Sequence, residues 1–92
     1  MAQSKSRMKR YWVFKKMIDK IRLDAGCADC GYNENPVALD FDHLPQYKKF
    51  LQVTQMATYS NERIMAEIAK CEVVCANCHR IRTHKRKQEN VE

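Results

Sequence analysis

The sequence predicts a small α+β domain held together by a metal ion, and three observations point there. Four of the five cysteines form two Cys-x2-Cys pairs, Cys27 with Cys30 and Cys75 with Cys78. Apolar residues recur at helical spacing on both sides of a short stretch that alternates with period two. The chain has 92 residues, and a core that small gives marginal stability unless something staples it.

Residues 1–8 are expected to form a basic flexible arm, 9–88 a single domain and 89–92 a frayed end. From Lys9 to about Asp24, Tyr11, Phe14, Met17 or Ile18, and Ile21 recur every three to four residues. That spacing predicts an amphipathic helix, with Lys15, Lys16, Lys20 and Arg22 mostly around the other side and Gly26 as terminator. Cys27 to Tyr32 reads as a metal knuckle and Asn33 to Pro36 as a turn. Val37, Leu39 and Phe41 then alternate with Ala38, Asp40 and Asp42, predicting a strand that ends at Asp42-His43. Leu44 to Lys49 is a polar loop, and Phe50 to Thr54 a short extended piece. Ser60 is placed to cap a helix reaching about Lys70, with Glu62 in its first turn and Ile64, Met65, Ile68 and Ala69 on its apolar side. Glu72-Val73-Val74 predicts a brief strand. Ala76 to about Lys87 has helix-forming composition with a basic C-terminal half.

Lysine and arginine outnumber acids by 17 to 11, for a formal charge of +6. Four thiolates and one Zn²⁺ would change this by −2, to about +4, still basic enough to favour nucleic acid. The excess lies at the two ends, in Lys5, Arg7, Lys9, Arg10, Lys15 and Lys16 and again in Arg80, Arg82, Lys85, Arg86 and Lys87. Both flanks are therefore placed to meet phosphates. No stretch approaches the ~20 apolar residues that span a bilayer. Met1 to Arg10 is polar and basic, without an apolar signal segment, which points to the cytoplasm and its reducing conditions.

Two Cys-x2-Cys pairs suit a tetrahedral zinc site, because each pair can bring two sulfurs to ~2.3 Å from one ion. The gap between them is longer than in a simple zinc ribbon, so a functional insert is carried between the knuckles. Disulfides are the competing staple, and a redox motif would need only one pair. Cys71 is left over, between an apolar helix and a strand, and reads as a buried thiol.

Between the knuckles lies Leu39-Asp40-Phe41-Asp42-His43, and the second knuckle continues as Cys75-Ala-Asn77-Cys78-His79-Arg80. With two knuckles, an Asp-His at a strand end and a Cys-x2-Cys-His opening a helix, Cys27 to Thr83 resembles the HNH endonucleases, particularly small zinc-stapled ones of phages and prophages. The resemblance implies a ββα-metal (His-Me finger) core with flanking helices. It also implies hydrolysis of DNA phosphodiester bonds, by nicking or double-strand cutting, leaving 5′-phosphate and 3′-hydroxyl ends. Asp42 and His79 would bind a catalytic divalent ion such as Mg²⁺ or Mn²⁺, and His43 would be the general base that activates water. Arg80, Arg82, Lys85 and Arg86 would contact DNA. A phage-encoded member would work in the bacterial host cytoplasm.

Several positions depart from the family pattern. Lys70 stands where the family carries its middle asparagine, leaving Asn61 or Asn77 for that task. Thr83 stands where some relatives carry a second histidine; it lies about 40° around the helix from His79, whereas Asn77 lies about 200° away. A two-ligand site completed by water and phosphate follows, with His84 able to join only if the helix is irregular. Asp40 and Asp42 share a strand face, and adjacency to His43 selects Asp42 as the acidic ligand. The competing functions are a noncatalytic zinc-bound DNA-binding module and a protein-interaction module acting with phage terminase or packaging proteins. Keeping both Asp42 and His43 argues against pure binding, which needs neither.

Overall fold

The computed structural model describes the backbone of residues 2–91 and the side chains of residues 8–89. Its elements are α1 (Ala2–Ala25), β1 (Leu39–His43), α2 (Asn61–Ile68), β2 (Cys71–Cys75) and α3 (Ala76–Val91), with single 3₁₀ turns at Pro36–Ala38 and Val53–Gln55. This is a small α+β domain. No helix among the described residues is long and apolar enough to cross a membrane.

The backbone of 2–8, expected as an arm, belongs to α1, and that of 89–91, expected to fray, belongs to α3. Residues 1 and 92, and the side chains of 2–7, 90 and 91, lie outside the described residues. Within α1 the buried stripe is Phe14, Ile18 and Arg22, one residue every four, so it covers one helix face. Tyr11, which the apolar spacing placed on that stripe, is exposed, as are Trp12 and Val13. Arg22 is the larger surprise. Expected on the polar side, it is buried, donates through Nη1 to the Leu39 carbonyl at 3.0 Å and through Nη2 to Asp19 at 2.7 Å. Its guanidinium also lies over the Phe41 ring. A buried cation is tolerated when paired and hydrogen-bonded, and here it ties α1 to β1.

Gly26 ends α1 with φ of +67°, a left-handed cap whose amide donates to the Arg22 carbonyl at 2.9 Å. The expected strand start at Val37 is replaced by the 3₁₀ turn. The Asn35 side chain accepts from the Val37 amide at 3.0 Å, and Val37 is 79% exposed, so the apolar alternation begins only at Leu39. Phe50 to Thr54 likewise forms no extended piece; its backbone turns into the 3₁₀ segment, burying Val53.

β1 pairs antiparallel with β2, Leu39 opposite Cys75 and His43 opposite Cys71. Residues between the strands loop out, and α2 folds back from that loop. Ser60 caps α2 as its sequence position indicates, Oγ accepting from the Arg63 amide at 3.2 Å. One sheet face, with Leu39, Phe41 and Val73, joins Ile18 of α1, Ile64 of α2, Val53 and Met56 in the core, and Val74 is buried on the other face. Burying each such apolar side chain contributes about 1.5–3 kcal/mol, an upper figure because unfolded chains bury some surface already.

Candidate active site

Two side-chain clusters flank the sheet. At the β2 end, Cys27, Cys30, Cys75 and Cys78 place their sulfurs within 4.8 Å of one another. The Cys30 and Cys78 amides donate to the sulfurs of Cys27 and Cys75, each at 3.4 Å, and Gly31, at φ +82°, closes the first knuckle. The Cys30 and Cys75 sulfurs are 3.7 Å apart, against about 3.8 Å between ligands of a tetrahedral Zn–S site. Burial opposes ionisation of Cys27, but backbone hydrogen bonds at Cys75, Cys30 and Asp29 outweigh it and lower its pKa to about 6. Its hydrogen bond with Cys75, then burial, pushes the Cys78 thiol up to about 12. The four sulfurs thus make a cluster able to hold a structural metal ion such as zinc. Cys71 stands apart, partly buried, its thiol raised to about 11 chiefly by burial.

The second cluster lies where α3 crosses β1. Successive strand residues face opposite sides, so Asp40 and Asp42 leave β1 toward α3 while His43 leaves it toward α2. His79, near the start of α3, sits between the two acids: Nδ1 is 3.0 Å from Asp40 and Nε2 is 3.5 Å from Asp42. Asp42 is 3% exposed and is held by two arginines of α3. Arg82 Nη1 donates to it at 2.9 Å and Arg86 donates to both of its oxygens at 2.9 Å. Burial works to raise the Asp42 pKa, yet these arginine hydrogen bonds lower it below the usual carboxylate value. Arg82 also donates to both oxygens of Asp29 at 2.7 Å and pairs with Glu72 at 2.9 Å. Since Asp29 lies inside the first Cys-x2-Cys, Arg82 links the two clusters. Asp40 and His79, both partly exposed, line a groove along β1 with Arg22, Gln52 and Thr54.

His43 meets Glu67 of α2, Nε2 to Oε2 at 2.8 Å. Glu67 is 3% exposed, and its Oε2 also accepts from the Phe50 amide at 2.9 Å while Oε1 accepts from Lys70 at 2.8 Å. Burial opposes ionisation of Glu67, but hydrogen bonds from Lys70, the Phe50 amide and His43 prevail and bring its pKa down to about 2. Lys70 Nζ donates as well to the Lys48 carbonyl at 2.9 Å. Glu67 and Lys70 together pin the 44–50 loop behind His43. Neither Asn61 nor Asn77 makes that contact.

The expected residues therefore separate into groups. Asp42 and His79 come together, and Asp40 joins them; His43 sits on the other sheet face. Thr83 turns its hydroxyl to the His79 carbonyl at 3.0 Å. Arg80 and Lys85 are exposed, whereas Arg82 and Arg86 are engaged with acids. Glu67 and Arg22 escaped the sequence reading. Each carried the same signal, a charged residue falling on the apolar stripe of its helix: Arg22 after Phe14 and Ile18, Glu67 between Ile64 and Ile68. No protein-family model matches the chain, and no curated protein or solved structure matches it.

Proposed function

We propose that this protein is a metal-dependent DNA endonuclease of the HNH kind, with a ββα-metal core formed by β1, β2 and α3. The observation that carries this reading is the meeting of Asp42 and His79, a carboxylate and an imidazole 3.5 Å apart, at a strand end whose next residue, His43, is backed by Glu67 from the opposite sheet face. A carboxylate oxygen and an imidazole nitrogen are both donors that a divalent cation accepts. Such an ion, bound by Asp42 and His79, would supply positive charge beside the scissile phosphate and its leaving oxygen. His43 takes the proton of the attacking water as the water oxygen bonds to phosphorus and the P–O3′ bond breaks. The 3′ oxygen then gains a proton from solvent. Arg80 and Lys85, exposed on α3, and the cations of α1 attract the phosphate backbone. The four cysteines hold zinc and stay out of the chemistry.

A second reading, a noncatalytic zinc-held DNA-binding module, is favoured by the arginines on Asp42. Arg82 and Arg86 occupy both of its oxygens, as a purely structural carboxylate would have them. Plasmid cleavage across a metal titration separates the two. The nuclease reading expects His43→Ala to bind the ion yet lose ~10²-fold or more in rate, the size of a general-base contribution. It expects His79→Ala and Asp42→Asn to need more metal, and Asp40→Asn to resemble wild type. A folded His43→Ala that cuts as fast as wild type sinks the nuclease reading, and wild-type protein that binds but never cuts DNA favours the module.

A further inference from the structure

The geometry points to Glu67 as the positioning residue for His43: its carboxylate holds the imidazole with the proton on Nε2, leaving Nδ1 as the proton acceptor. This rests on the nuclease reading only for the use made of Nδ1; the tautomer follows from the contacts themselves. An ionised carboxylate has no hydrogen to give, so in the 2.8 Å contact with His43 Nε2 the imidazole must donate. Against the opposing effect of burial, hydrogen bonds from Lys70, the Phe50 amide and His43 keep Glu67 ionised across the neutral range. The Phe50 amide, sharing Oε2 with His43, and Lys70, on Oε1, fix the carboxylate so that it cannot rotate away without leaving buried groups unpaired.

The same contacts explain how the chain manages with a lysine where the HNH pattern has asparagine. The task of holding both the loop and the histidine passes to a residue one helical turn earlier, with Lys70 keeping the loop through the Lys48 carbonyl. Glu67 touches neither water nor phosphate in this account. It acts through His43, as the outer partner of a functional histidine sets its tautomer and ring angle.

The test is NMR of the zinc-loaded full chain with ¹⁵N-labelled histidine, reading which ring nitrogen of His43 carries hydrogen and whether that proton is protected from exchange. The expected wild-type result is a protected proton on Nε2. Glu67→Ala loses that protection, whereas Glu67→Gln retains it, because a carboxamide oxygen held by the Phe50 amide still accepts from Nε2. In plasmid cleavage Glu67→Ala lowers kcat by about 10- to 100-fold with KM for DNA unchanged. A wild-type proton on Nδ1, or an Nε2 proton equally protected in Glu67→Ala, overturns the assignment, and the first of these needs no variant. If the protected Nε2 proton is present but wild type cuts no DNA, the nuclease reading fails while the assignment of Glu67 stands.

Discussion

The four-cysteine end and the His79 end of the same two-stranded sheet are built by different means. At the knuckles, each pair of sulfurs is placed by a few consecutive residues, with amides at Cys30 and Cys78 aimed at the sulfurs three positions earlier. At the other end almost nothing is local. Asp42 depends on Arg82 and Arg86, 40 and 44 residues away, and His43 depends on Glu67, 24 residues away. Short-range geometry makes the first end robust once metal binds; the second exists only after α2 and α3 have docked. One end is thus specified by neighbours in sequence, and the other by the packing of distant elements.

The largest expected effect breaks the first end. Chelating the metal, or Cys27→Ser, leaves the chain unfolded, because structural zinc contributes on the order of 10 kcal/mol, comparable with a small domain's entire net stability. Circular dichroism with elemental analysis checks this; a folded, metal-free protein would show that the core suffices. Next comes the tie between the ends. Arg82→Ala is expected to cost about 1–3 kcal/mol in urea unfolding, since Asp29, Asp42 and Glu72 lose a shared partner. If Arg82→Ala and Asp29→Asn prove additive, the two ends are independent and the link drawn here is absent.

A third experiment uses pH. Glu67 has a folded-state pKa near 2 against an ordinary value of 4.5, so its ionised form favours the native state. That contribution is complete above about pH 4.5 and is lost as pH falls toward 2. The stability gap between wild type and Glu67→Gln should therefore narrow through this window, protonation of the cysteines acting on both proteins alike. A constant gap would mean that shape, not charge, is what Glu67 supplies. The smallest effect belongs to His79→Ala. Partly exposed and held at 3.0 Å by a partly exposed acid, it should change unfolding free energy by no more than about 0.5 kcal/mol, while calorimetry shows weaker binding of a divalent ion. A strongly destabilised His79→Ala would place that end in the fold as well.

Much of the framework was legible in the sequence because its rules are short-range. Cysteine spacing marked the cluster, alternation from Leu39 marked β1, Ser60 marked the start of α2, and Gly26 the end of α1. The apolar spacing of α1 runs on to Tyr11, beyond the buried stripe, because periodicity records which residues share a face, not whether another element covers it. Tertiary structure alone decided which charges are buried and with whom. Arg22 and Glu67 sit among apolar residues because near neighbours, Asp19 and Lys70, are joined by partners 17 and 24 positions away, although Arg22 Nε keeps no partner. It likewise decided that Arg82 and Arg86 turn inward to Asp42, and that His43 and His79 lie on opposite faces of the sheet. A buried charge is stable only where distant groups converge on it, and convergence is a property of the packed chain rather than of any window of sequence.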